Sequence, residues 1–248
     1  MRDEERQMNP IVVSYGAGTN STALLVGLVS RSERPDLILF SDTGGERPDT
    51  YMYIDTMNRY LARNNFPQIE TICLAGPTIE DDCLKKGTMP SVAFGFKTCS
   101  HRWKIEPQAK RLNGWPKARA AWKAGELVTK LIGFDAGEPQ RAKPFKDDKY
   151  INRYPLIEWD WDRDDCIEAI RKAGLPLPGK SSCFFCPNMK AFEVKALSIE
   201  NPDLYARALE MQDKAIANKK IGRVKHWKQI GDQLGLDMPC GCYDGDPK

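Results

Sequence analysis

Between Ile11 and Leu25 an apolar, β-branched run enters a turn of small residues and leaves as an apolar helical face. That order is strand, anion-sized loop, helix. Small residues let backbone approach an anion closely, and the unpaired N–H groups and dipole of a new helix's first turn point at whatever sits there. A nucleotide phosphate or a sulfate fits such a loop, with Ser14, Tyr15, Gly16, Ala17, Gly18, Asn20 and Ser21 as candidate binding residues. The plainer alternative is an ordinary strand-to-helix turn of an α/β domain. Two familiar phosphate loops are excluded: no Lys-Ser or Lys-Thr pair closes the turn, and Gly16-x-Gly18 lacks the third glycine of the dinucleotide fingerprint.

The remainder of the chain alternates strand-like and helix-like segments, which predicts a doubly wound, mostly parallel α/β sheet. Residues 35–40 read as a second strand, ending in Asp42-Thr43-Gly44 and a helix over Tyr51 to Leu61. Ligands of such folds bind beyond the carboxyl ends of strands, so Asp42, Thr43 and Gly44 are expected to share a crevice with the first loop and meet a ribose, a phosphate or magnesium. An Asp-Thr turn before a helix cap is the alternative. Ile69 to Leu74 reads as a third strand, followed by a stretch around Cys83 and Gly87 without a clear pattern. Trp115 to Lys123 is basic and aromatic, either a solvated helix face or a nucleic-acid surface. Leu127 to Gly133 is a further strand, whose loop carries Arg141 either as an anion-binding fork or as a partner of Glu138. A helix capped by Asp160 or Asp162 follows, with Cys166 on its core face, and a long helical pattern covers Asn188 to Asn218.

Eight cysteines in 248 residues, without a secretory leader pattern at Met1 to Arg6 or an apolar run of membrane-spanning length, predict a cytoplasmic protein whose thiols are buried, redox-active or metal-bound. The net charge of +3 suits an anionic small molecule and does not demand a nucleic acid. Cationic neighbours around Cys99 favour its thiolate. Cys183-Phe184-Phe185-Cys186 at a turn is a metal-binding or redox pair. With Cys99 these make three candidate ligands for an iron–sulfur cluster or zinc, and Cys240 or Cys242 is the candidate fourth, ahead of His101. The chain reads as one domain, with a nucleotide-binding core over 1–180 and a cysteine-bearing helical part over 181–248.

These motifs resemble the phosphoadenylyl-sulfate (PAPS) reductase family within the adenine-nucleotide α-hydrolase-like, PP-loop superfamily. Gly18, Ser21 and Thr22 match the superfamily's S-G-G-x-D-S-T, with Asn20 in place of the aspartate, and Ser14-Tyr15-Gly16-Ala17 is similar to the family's S-F-G-A. Asp42-Thr43-Gly44, Pro48, Thr50 and Tyr51 match D-T-G-x-x-x-P-E-T-Y. Cys99 and Arg102 match the Cys-Cys-x-x-Arg-Lys of the iron–sulfur branch, with Thr98 for the first cysteine and Lys104 displaced by one residue. Gly133 and Arg141 match the strand-end G-x-x-x-x-x-S-x-x-R, and Cys240-Gly241 resembles the E-C-G-x-H segment. The resemblance implies an adenylyl nucleotide (ATP, adenylyl sulfate or PAPS), a [4Fe–4S] cluster or zinc on Cys99, Cys183 and Cys186, and Cys240 as nucleophile toward an activated sulfate. It further implies a thiol reductant or sulfur-donor protein, and a homodimer, as partners. Two alternatives accompany it: an ATP-dependent sulfurtransferase acting on an acceptor such as nucleic acid, and a non-enzymatic, zinc-stabilised nucleotide or nucleic-acid binding module.

Overall fold

A computed structural model describes residues 9–90, 98–142 and 147–218. Strand β1 (Ile11–Tyr15) lies at the centre of a five-stranded sheet of order β3-β2-β1-β4-β5. The others are β2 (Leu37–Asp42), β3 (Ile69–Cys73), β4 (Val128–Ile132) and β5 (Tyr150–Arg153). Strand β1 pairs in parallel with β2, Val13 opposite Ile38, and with β4, Val13 opposite Leu131; β4 and β5 are also parallel. Parallel strands covered on both faces need continuous apolar runs, and Val12, Val13, Tyr15 and Leu37 to Phe40 supply them, all buried. The order turns back on itself at β1 and β4, which makes their carboxyl ends the topological switch point.

Helix α1 (Thr19–Ser30) is apolar nearly all round, and Leu24, Leu25 and Leu28 are fully buried. A helix of that kind belongs inside a domain. It packs in one core with helices α2 (Pro48–Arg63) and α8 (Arg163–Lys172), where Met57, Leu61, Cys166 and Ile170 are fully buried. Asp162 caps α8 by accepting from the Asp164 and Asp165 amides, and Cys166 is a core residue as its helical spacing predicts.

The chain divides into two compact units, residues 1–41, 49–72 and 108–180 in the first and 42–48, 73–107 and 181–248 in the second. One crossing falls at Lys180–Ser181. In the second unit, the stretch without a clear pattern is helix α3 (Ile79–Lys86), capped by Thr78, whose hydroxyl accepts from the Asp81 amide, and closed by left-handed Gly87. The long helical pattern after Asn188 is two helices, α9 (Ala191–Glu200) and α10 (Pro202–Ala217), because Pro202 has no N–H to continue the first and instead opens the second. Phe184, Phe185, Val194, Leu197, Met211 and Trp103 form this unit's core. Among the described residues no helix is long and apolar enough to cross a membrane.

Gly27, inside α1, gives this packing a test. A Cβ there would sit 2.3 Å from a ring carbon of Trp159. Alanine at a helical position normally gains about 1 kcal/mol over glycine, but overpacking costs about 1–3 kcal/mol. Gly27→Ala should therefore lower stability by about 1 kcal/mol net, read from urea unfolding, and a gain would show that the Trp159 ring is not held against α1.

Candidate nucleotide and thiol sites

In the first unit the β1 loop meets the β4 loop at the switch point. Gly133, directly after β4, approaches the first turn of α1 so closely that a Cβ would lie 3.0 Å from the Ser21 amide nitrogen and 3.1 Å from the Asn20 carbonyl. Only glycine fits there. Ala17 holds a left-handed φ of 57° with its methyl buried, which folds the loop back into α1. The α1 N-cap is Gly18, with no side-chain cap and no acidic residue in the first turn. Ser21 folds back locally, its hydroxyl donating to the Gly18 carbonyl at 3.0 Å. At Gly16 an added Cβ would meet only the Ser21 hydroxyl at 3.8 Å, so space lies over that backbone. The first turn thus presents a positive helix end with no acid of its own.

Three side chains of the predicted loop face elsewhere. Tyr15 is 2% exposed, its hydroxyl 3.3 Å from that of Thr22, and burial pushes its pKa far up. Any part it takes in anion binding is through its backbone. The Ser14 hydroxyl donates to Gln108 at 2.7 Å, and Gln108 in turn donates to the Ser41 hydroxyl at 3.2 Å. Asn20 donates to the Asp135 carboxylate at 2.8 Å and accepts from Arg163 at 2.9 Å. Asp135 is 2% exposed and also accepts from the Gly137 amide at 3.0 Å. This triad ties the β1 loop, the β4 loop and α8 together, and only Asn20 was singled out from the sequence. Asp135 and Arg163 carry no local pattern that would have found them.

Arg141 follows the second of its two sequence readings. One guanidinium nitrogen, Nη1, lies 2.8 and 2.7 Å from the two carboxylate oxygens of Glu138, and the group covers the Phe134 ring at 4.1 Å. Phe134 stacks on Tyr154, centroids 5.5 Å apart.

Asp42, Thr43 and Gly44 belong to the second unit. The Asp42 carboxylate accepts from the Gly44 amide at 2.8 Å. Gly44 has a φ of 73° and faces Thr78, so a side chain is excluded on both grounds. Thr43 is buried and turns toward sulfur: its hydroxyl donates to Glu46 at 3.3 Å and lies 3.7 Å from the Cys183 Sγ. Glu46 bridges Cys183 in antiparallel fashion, and the Phe184 amide donates to Gly45 at 2.8 Å. The Cys186 amide closes the C-x-x-C turn on the Cys183 carbonyl at 3.0 Å, which sends both intervening phenylalanines into the core.

Glu46 has a fully buried side chain, paired with Lys104 at 3.2 Å. Its second oxygen has no hydrogen-bond partner. Lys104 reaches this carboxylate from a π-helix over His101–Ile105 that follows α4 (Thr98–Ser100). A π-turn takes one residue more than an α-turn, and such turns occur often at functional sites. Glu46, then Cys183 and Cys99, raise the Lys104 pKa, so the ammonium persists well past neutral pH. Burial first, and the Glu46 carboxylate second, push the Cys183 thiol up, with Lys104 and Thr43 pulling it down. Glu46 was not singled out in the sequence, since an acid in a glycine-rich turn reads as solvated.

Cys99, Cys183 and Cys186 pack partly buried against the same apolar cluster, so the donor chemistry suits a soft metal or cluster. Among the described residues, however, no three His, Cys, Asp or Glu side chains are gathered so as to hold a metal ion. Cys240 and Cys242 lie outside the described residues.

No protein-family model matches the chain, and no curated protein matches it. Among solved structures it is similar to a phosphoadenylyl-sulfate reductase from Candida auris in its phosphate complex, at 19% identity over 69% of this chain and 76% of that one, with a TM-score of 0.44. It is also similar to a U34-tRNA thiolase from Methanococcus maripaludis with its [4Fe–4S] cluster, at 11% identity over 97% and 86% of the two chains, with a TM-score of 0.42.

The triad explains why residue 20 is an amide. Asn20→Asp would face one carboxylate with another, remove a donor, and raise the pKa of the pair above the unfolded value of about 4. A raised folded-state pKa gives stability present at low pH and lost as pH rises. Asn20→Asp should thus cost about 2 kcal/mol at pH 7 and progressively less toward pH 4, read from urea midpoints. A deficit that stays constant with pH would contradict the triad.

Proposed function

We propose that the protein is an enzyme of sulfur chemistry that binds an adenylyl nucleotide across the β1 and β4 loops, with its phosphate over Gly16 and the first turn of α1. The observation that carries this reading is the helix end at the switch point, with no acid in its first turn and open space beside it at Gly16. Backbone amides from Gly16 to Ser21 would hold the anion, and the Asn20 triad would hold the loop in shape. Arg141 would reach an anion only with the guanidinium nitrogens that Glu138 leaves.

The sulfur-handling groups in this reading are Cys99, Cys183 and Cys186, with Lys104 as the cation that favours sulfur in its anionic form. A [4Fe–4S] cluster or zinc would draw thiolates from these three; with Cys240 or Cys242 as a fourth the centre would be closed, and with three alone it would keep one position open to sulfur. Reduction of an activated sulfate, adenylyl sulfate or PAPS, is the reaction proposed: with Cys240 as nucleophile and not as metal ligand, its thiolate attacks the sulfur, the adenylyl phosphate leaves, and a thiol reductant then attacks the S-sulfonated cysteine, forming a disulfide and releasing sulfite.

Calorimetry with ATP, adenylyl sulfate and PAPS tests the nucleotide. At least one should bind. Gly16→Val should abolish that binding while leaving the thermal midpoint unchanged, because the added side chain enters the anion's space and meets little of the protein. Absence of binding by all three, or undiminished binding to the Gly16→Val protein, would reject the reading.

A further inference from the structure

We infer that the face formed by α6 (Pro116–Lys123) and the amino ends of β4 and β5 docks the phosphodiester backbone of a nucleic acid. Helix α6 holds three cations, Lys117, Arg119 and Lys123, and no acid. Lys117 is paired with Asp36. Arg119 and Lys123 are exposed, sit four residues apart on one side of the helix, and have no acidic partner among the described residues. Like charges at that spacing cost a few tenths of a kcal/mol locally. That cost has no internal compensation.

Two more cations join them, held by rings. Lys149 lies 4.7 Å over the Trp122 ring and donates to Asn113 at 3.0 Å, while Lys130 lies 3.5 Å over the Tyr150 ring. Trp122 is itself fixed, its indole N–H donating to the Lys149 carbonyl at 2.8 Å and its ring set edge-on to Tyr150 at 5.7 Å. A cation seated on an aromatic face is positioned without being neutralised. Two acids here turn inward: Asp147 caps the Lys149 and Tyr150 amides, and Glu126, between α6 and β4, buries a carboxylate oxygen, while Asp148 is exposed. Asp147 offsets part of the Lys130 charge, while Arg119, Lys123 and the ring-held Lys149 are cations of the kind a polyanionic backbone recognises independently of sequence. Because both ring faces are already covered by lysines, the surface favours phosphates over stacked bases.

This surface is separate from the nucleotide site. Lys149 precedes β5 and the chain after Lys123 leads into β4, whereas the nucleotide loops leave the opposite ends of strands about 16 Å long. The two proposals therefore fail independently.

Fluorescence anisotropy with a labelled RNA hairpin, and with single-stranded DNA of equal length, tests it on the full chain across a salt series. Wild type should bind both, with an affinity that falls steeply as salt rises. The Arg119→Ala/Lys123→Ala/Lys149→Ala protein should bind at least about tenfold more weakly, with a salt slope smaller by about 2 to 3, given about 0.7–0.9 per lost phosphate contact. Arg171→Ala, an exposed cation on α8, should change neither. A matched thermal midpoint shows that the triple variant is folded. No binding of either nucleic acid by wild type, binding of phosphatidylserine vesicles in its place, or an unchanged slope in the triple variant would overturn the inference.

Discussion

The close approach of Gly133 to the first turn of α1 is the constraint on which the candidate nucleotide site depends. Parallel pairing of β1 with β4 brings their carboxyl ends side by side, and glycine at 133 permits the approach, because a Cβ there would lie 3.0 Å from the Ser21 amide nitrogen. Once there, Asp135 is carried to Asn20, and Arg163 of α8 completes the contact from the other side. The helix end is thereby held by three elements. A preorganised anion site needs a backbone fixed in this way.

The second unit solves a different problem, how to keep charge beside sulfur in an apolar core. Glu46 is enclosed, and an isolated carboxylate there would be costly. Lys104 offsets that cost, delivered by the π-turn. The pair places a negative and a positive group beside Cys183, whose thiol is consequently held protonated by burial and Glu46 and opposed by Lys104. Thr43, from the same turn, adds its hydroxyl to this thiol environment.

Much of the fold was legible because its signals are local. The apolar runs of β1, β2 and β4, the Asp162 cap and the helical spacing of Cys166 each lie within a few neighbouring residues. The capping pair Thr78 and Asp81 was equally local, yet α3 has few apolar residues to show its period, and so the helix was missed. Strand β5, Tyr150–Arg153, is short and half exposed, and it carries no alternation. The site was less legible where it depends on distant partners. Asn20 with Asp135 spans 115 residues and Thr43 with Cys183 spans 140, and no spacing rule reports such pairs. For Arg141 the sequence offered two partners, and the nearer, Glu138, is engaged because it lies three residues away in a tight helical turn.

Amide hydrogen exchange, compared with and without bound ATP or adenylyl sulfate, addresses the central claim most directly, because it reads the backbone donors on which the proposed site is built. The account predicts slowed exchange in two segments of the first unit, residues 15–22 and 133–141, with the Asn20→Asp protein showing less protection in both. Nucleotide binding that leaves those two segments unchanged while protecting another part of the chain would contradict it.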